Sequence, residues 1–247
     1  MSEGFIIEIT RGHFLTKGIV PTSQYIVSKE GNVLERIEVH QETWLKIIEG
    51  HVVYCVCNNE EDTLVTISDN VIKFMLEYFS SVLKKETNIV EFGLLEKSDG
   101  IFQPYLIDFV DDNSPINISN KDIMSGIVSY GTVTGKIIII ENEEKDSLNE
   151  HFHNNIEKIQ KSNDKVVFFC KSPELALLKL LEQYKSENIG FVFENCALGA
   201  HLAVVLREKR IPAIKLEKIY WRFPKDGVCF LDAQTPDLEP QERFKYE

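Results

Sequence analysis

The sequence lacks long apolar runs. Stretches such as residues 137–140, four isoleucines in a row, fall far short of the ~20 residues that a membrane-spanning helix needs. It is also poor in positive charge: 27 lysines and arginines stand against 39 aspartates and glutamates, a net charge of −12. Phosphate backbones and anionic headgroups repel such a chain on average, so neither a nucleic acid nor a membrane is expected as partner. The opening Met1-Ser2-Glu3-Gly4-Phe5 shows no basic stretch followed by an apolar one, and the expected location is cytoplasmic. Cysteine is sparse and odd in number. Cys55, Cys57, Cys170, Cys196 and Cys229 lie mostly within or beside strand-like apolar runs, which fits buried thiols in a reducing compartment better than a disulfide framework. Cys55 and Cys57 share a strand face with His51 and Val53, but no matching Cys-x-x-Cys stands elsewhere, so they read as core thiols. No Gly-x-x-x-x-Gly-Lys-[Ser/Thr] loop is present, which excludes a P-loop. No Ser/His/Asp or Cys/His triad follows from order or spacing.

What is present is an ordinary globular composition: 247 residues, 43% apolar, enough for one large domain or two small ones. The pattern divides the chain. Residues 1–112 carry strand-like segments at 6–9, 25–27, 33–39 and 51–57. The turn Glu30-Gly31-Asn32 makes a hairpin of the second and third. Val71, Ile72, Met75, Leu76, Phe79, Val82 and Leu83 form one apolar stripe at the 3.6 period, a helix opened by Ser68-Asp69. Strands at 89–95 and 105–110 follow, separated by Ser98-Asp99-Gly100. A polar, turn-prone stretch around Asp111-Asp112-Asn113-Ser114-Pro115 marks a linker, 113–124. Residues 125–235 alternate strands (136–141, 166–170, 191–193, 212–214, 228–231) with helices starting at Ser172-Pro173-Glu174 and spanning 200–209. The stretch 142–164, with His151 and His153, reads as solvated surface, and 236–247 as a polar, mobile tail. The fold class is α/β.

The chemistry-bearing stretch is Glu194 to Leu216. It is a strand, a turn of small residues (Cys196, Ala197, Gly199, Ala200) and a helix with His201 in its first turn. A helix start offers unpaired N–H groups and a positive dipole end, and small residues let an anion approach them. A neutral imidazole there can attack a phosphoryl group and carry it as a phosphoramidate. Equally, a histidine at a helix start can be a local cap or a packed side chain.

The run from His201 to Ile214 resembles the swivelling phosphohistidine domain of the phosphoenolpyruvate-utilising enzymes: phosphoenolpyruvate synthase, pyruvate phosphate dikinase, rifampin phosphotransferase. The family pattern is a Gly-Gly-x-Thr-Ser-His turn, then Ala-x-x-x-Arg-Glu and Gly-Ile-Pro-Ala. Asp226-Gly227-Val228 and Asp232 resemble its later strand, and Gly131-Thr132-Val133-Thr134-Gly135-Lys136-Ile137 its earlier one, so the similarity spans about residues 125–234. It implies that His201 is the phosphoryl acceptor, with Gly199 and Ala200 in the binding turn. Arg207, on the same helix, either supports the transfer or pairs with a carboxylate and only shapes the domain. The turn departs from the pattern: Cys196 and Ala197 replace the glycines, and Gly199-Ala200 replaces Thr-Ser, with loss of one or two charge-assisted hydrogen bonds to a phosphoryl group.

The first half is similar to the late part of the nucleotide-binding ATP-grasp domain of the same enzymes. Residues 8–20 resemble its Glu-x-x-x-Gly motif and Gly-x-Val segment, and Tyr25-Ile26-Val27 its Tyr-x-Val. The resemblance implies Arg11 as a phosphate contact, a surface ion pair being the alternative. It also implies Glu91 and Asp108 as ligands of Mg²⁺ arriving with ATP, though the expected arginine after Asp108 is missing; both are otherwise solvated strand ends. The larger N-terminal portion of an ATP-grasp domain and the acceptor domain would then come from a partner chain, or this sequence would be a piece of a longer enzyme. The implied fold is a partial ATP-grasp-like half followed by a swivelling β/β/α phosphohistidine domain. The implied function is one component of a split phosphotransferase; the alternative is a non-catalytic binding or regulatory subunit that kept the fold.

Overall fold

The computed structural model describes residues 4–12, 20–48, 51–57, 63–79, 88–96, 102–111, 122–123, 125–140, 164–173, 177–216, 227–235, 238–239 and 241–246. The linker core, the helix extension to Val82 and Leu83, the turn at 98–100, the stretch with His151 and His153, and the helix start at Glu174 lie outside these residues. The described chain is mixed α/β, mostly sheet with few helices, and no described helix is long and apolar enough to cross a membrane.

The N-terminal elements are β1 (Gly4–Ile9), β2 (Ser23–Ser28), β3 (Val33–Ile37), β4 (Val39–His40), β5 (Thr43–Ile48), β6 (His51–Val56), β7 (Leu64–Val65), α1 (Asp69–Phe79), β8 (Asn88–Glu96) and β9 (Phe102–Asp111). β1, β2 and β3 form an antiparallel sheet in that order, and the hairpin expected at Glu30-Gly31-Asn32 is present, with Gly31 at φ 82°. The other strands pair off as β4–β7, β5–β6 and β8–β9. β4, β5 and β7 carry too little alternation to stand out in the sequence. On α1, Ile72, Met75 and Phe79 are buried, at the helical spacing, and meet Ile7, Tyr25 and Val27. Two buried polar residues brace this unit. Gln41 uses its whole amide: Oε1 accepts from the Thr10 hydroxyl and the Arg11 N–H, and Nε2 donates to the carbonyls of Arg11 and Thr43. The Tyr25 hydroxyl donates to Glu38 (2.9 Å) and accepts from the Ile67 N–H, and burial raises its pKa above the ordinary value.

The later elements are β10 (Ile127–Ser129), β11 (Thr132–Ile140), β12 (Val166–Cys170), α2 (Leu178–Gln183), β13 (Ile189–Phe193), α3 (His201–Glu208), β14 (Ala213–Lys215), β15 (Val228–Asp232) and β16 (Phe244–Tyr246). They build one seven-stranded sheet in the order β10-β14-β13-β12-β11-β15-β16, to which no described N-terminal strand contributes. Its centre, β14-β13-β12-β11, is parallel, and its edges are antiparallel. β12 and β13 are buried on both faces, which is why they read as unbroken apolar runs, whereas the first half of β11 alternates exposed and buried. Val166, Phe168, Phe191 and Phe193 lie under α2 and α3, where Leu180, Leu202, Ala203 and Leu206 meet them. Val167, Phe169, Val192 and Ile214 pack on the other face with Val133, Leu231 and Phe244. Each fully buried leucine contributes roughly 1.5–3 kcal/mol. Gly131 sits at φ 142°, and a Cβ on Gly135 would come within 2.6 Å of the Lys165 backbone.

Three expectations change. The segment expected as a free polar tail ends in a strand: β16 pairs with β15, and Phe244 enters the core. Arg243 is fully buried and explains why. Its guanidinium donates to the carbonyls of Ser125 and Thr235 (3.3 and 3.0 Å) and to the Ser125 hydroxyl (2.8 Å), clamping the last strand to the start of the sheet. The end of the expected linker is likewise part of the fold, since Ile123 is buried against Ile127 and Leu198. Lastly, Cys55 and Cys57 are half-buried and not core thiols. The face that Cys55 shares with His51 and Val53 is the outer one: both of those residues are exposed. Cys170, Cys196 and Cys229 are buried as expected, and none of the five cysteines is in a disulfide.

Candidate functional site

β13 delivers the chain to the carboxyl edge of the parallel strands, where open α/β sheets place their sites. Glu194 and Asn195 are held there by N–H donation to the carbonyls of Cys170 and Lys171, from the neighbouring β12 edge. Residues 196–200 turn back, with Cys196, Ala197, Leu198 and Ala200 all buried, and the Ala200 N–H closes the turn on the Ala197 carbonyl (3.1 Å). Small side chains fit because α3 starts directly against the sheet. Ala200 is the N-cap residue, in extended backbone (φ −61°, ψ 138°), and it supplies no side-chain cap bond. His201, the first helical residue, is exposed.

The turn holds an anion already. The Leu198 N–H donates to Glu8 Oε1 at 2.8 Å, and the Gly199 N–H to Glu8 Oε2 at 3.1 Å. Both oxygens of one carboxylate, 190 residues earlier on β1, are thus bound by consecutive peptides. Gln24, opposite Glu8 across β1 and β2, adds a third donor from its amide (2.8 Å). Arg207 reaches back from the last turn of α3 and donates to the Leu198 carbonyl at 2.8 Å. That carbonyl and the Gly199 N–H belong to the same peptide group. Guanidinium, peptide and carboxylate form a chain in which each hydrogen bond polarises the next. Of the two roles open for Arg207, the geometry places it on the backbone of the turn, aiming the N–H groups. Cys196 lies beneath. Burial pushes its thiol up to about 12, Glu8 adds to the rise, and Arg207 and Lys215 oppose it, so the thiol stays protonated and is no nucleophile near neutral pH.

His201, Arg207, Gly199 and Ala200 are therefore one local constellation. Arg11 is elsewhere, and it is engaged. Its guanidinium lies 5.5 Å from the Trp44 ring centroid and donates to the Leu64 carbonyl (3.1 Å), bracing the small strand pairs. Glu91 and Asp108 stand directly opposite each other in the β8–β9 register. Val90, Phe92 and Leu94 pack toward α1, which places Glu91 on the other face of its strand. Mg²⁺ takes six oxygens, and among the described residues no three His, Cys, Asp or Glu side chains group to hold a metal.

Sequence reasoning missed Glu8 as a partner of this turn. Glu8 entered the sequence reading only as the acidic residue of the Glu-x-x-x-Gly resemblance, and nothing in the strand start Phe5-Ile6-Ile7-Glu8-Ile9 pointed to a partner 190 residues away. No protein-family model matches the chain, and no curated protein matches it.

Proposed function

We propose that the chain is the phosphohistidine-carrying component of a split phosphotransferase, a partial ATP-grasp-like unit followed by a swivelling β/β/α unit. The observation that carries the reading is the turn of residues 198–199, which binds an oxyanion through two backbone N–H groups two residues before an exposed histidine. A phosphoryl group on His201 would draw on these donors, the Leu198–Gly199 peptide being held by Arg207. In the forward step the imidazole nitrogen attacks phosphorus, the bond to the donor's leaving oxygen breaks, and the leaving group departs with the electron pair; a second attack by the acceptor regenerates His201. Positioning and charge neutralisation dominate such transfers, and backbone donors suit both. The donor, ATP or phosphoenolpyruvate, and the acceptor come from a separate chain; no step is routed through a metal on this one.

Two observations favour a second reading, a binding or regulatory subunit without phosphotransfer. Ala200 leaves the helix start without a hydroxyl, and Glu8 fills the donors that a phosphoryl group needs. Intact mass of protein purified at alkaline pH, where phosphohistidine survives, separates the two. An acid-labile phosphoryl group that is absent from His201→Gln supports the carrier. Protein unmodified after incubation with its co-purifying partners and Mg-ATP or phosphoenolpyruvate supports the regulatory subunit.

A further inference from the structure

β1 has two faces with different duties. Ile7 and Ile9 point into the N-terminal core against α1. The alternate residues, Ile6 and Glu8, meet the second unit instead. Ile6 packs with Ile123, Ile127 and Leu198, and Glu8 takes the N–H groups of Leu198 and Gly199. Gln24, itself buried, holds the carboxylate from the side of the N-terminal sheet. An apolar contact and a three-donor carboxylate thus converge on the turn in front of His201.

Two N–H groups that point at one carboxylate cannot serve a second anion at the same time. We infer that Glu8 is an autoinhibitory latch: it closes the N-terminal unit over the turn before His201, and that turn accepts a phosphate or phosphoryl oxygen only after Glu8 has left. Opening then frees the donors and parts Ile6 from Leu198 in one event. The closing half of this inference stands on the contacts alone; the exclusion of a phosphoryl group rests on the carrier reading above.

The test uses the full chain as wild type, Glu8→Gln and Glu8→Ala, followed by backbone amide NMR with inorganic phosphate as the probe. In the wild type, the Leu198 and Gly199 amides should exchange slowly and ignore phosphate. In Glu8→Ala they should exchange about tenfold faster and shift on phosphate addition, while the amides of β12 and β13 stay protected and report an intact sheet. Glu8→Gln keeps the side-chain shape and one acceptor oxygen, and should fall between. Unchanged protection in Glu8→Ala, or a wild type that responds to phosphate as readily as the variant, overturns the latch. A parallel assay follows acid-labile label on His201 with co-purifying partners and Mg-ATP or phosphoenolpyruvate. Faster labelling of Glu8→Ala supports latch and carrier together. No label in any variant, with the amide signature intact, overturns the carrier and leaves the latch. Equal labelling with unaltered protection overturns the latch and leaves the carrier.

Discussion

Two helices of this chain begin in opposite ways. α1 is served by its own sequence: the Ser68 hydroxyl accepts from the Val71 N–H (3.4 Å), the Ser68 carbonyl takes the Ile72 N–H, and Asp69 lies in the first turn. α3 begins at Ala200 with no side-chain cap, and the carboxylate bound just in front of it belongs to another sheet. A local cap makes a helix start independent of the rest of the molecule. A remote one makes the state of the turn depend on where another unit sits. The same need for partners at a helix entrance is thus met once within the sequence and once across the fold, and the second solution is the one beside the candidate nucleophile.

That contrast can be broken, starting with its strongest member. Glu8→Ala should cost about 2–3 kcal/mol of second-unit stability in chemical denaturation, because it strands two backbone donors bonded to a charge. A cost below ~0.5 kcal/mol would mean that the contact is incidental. Arg207→Met keeps the apolar stem but removes the bond to the Leu198 carbonyl. It should cost about 1.5–2 kcal/mol and speed exchange of the Gly199 amide in particular, which an effect on helix packing alone would not do. Ser68→Ala should cost about 1 kcal/mol, confined to α1 and without effect on the turn before α3. Ala200→Ser gives α3 the cap that it lacks and should stabilise by roughly 0.5 kcal/mol; a loss instead would show that the buried turn has no room for a hydroxyl. Gly199→Ala should be within ~0.5 kcal/mol of neutral, since the added Cβ meets only Glu8 Oε2, at 3.8 Å, and the backbone there is not left-handed.

The second unit was the more legible part of the sequence, for a physical reason. Strands buried on both faces need apolar side chains at every position, so Val166-Val167-Phe168-Phe169-Cys170 and Phe191-Val192-Phe193 announce themselves. The α1 stripe was legible through its period. β4 and β7, two residues each, have no period to detect, and among the described residues β5 pairs with its neighbour β6 alone. The candidate site was half legible. The run from Gly199 to Arg207 is contiguous, and its turn, helix start and histidine could be read together. Glu8, Gln24 and Gln41 act through partners that lie far along the chain or across a strand pair, and composition carries no trace of such pairings. Arg243 was hidden the same way: a polar C-terminal stretch reads as tail until its guanidinium is found buried.

That arginine has a consequence for how the molecule is made. Val128 and Ile127 leave the ribosome more than a hundred residues before Phe244, yet Arg243 bonds Ser125, beside them, and β16 forms the edge next to β15. The start of the second unit therefore waits for the end of the chain to be held in place. The seven-stranded sheet can begin to collapse as β11 to β14 emerge, but it is sealed only when the last strand arrives. A chain truncated before Arg243 should be cut around residue 125 more readily in limited proteolysis than the full chain, and Arg243→Met should share that sensitivity.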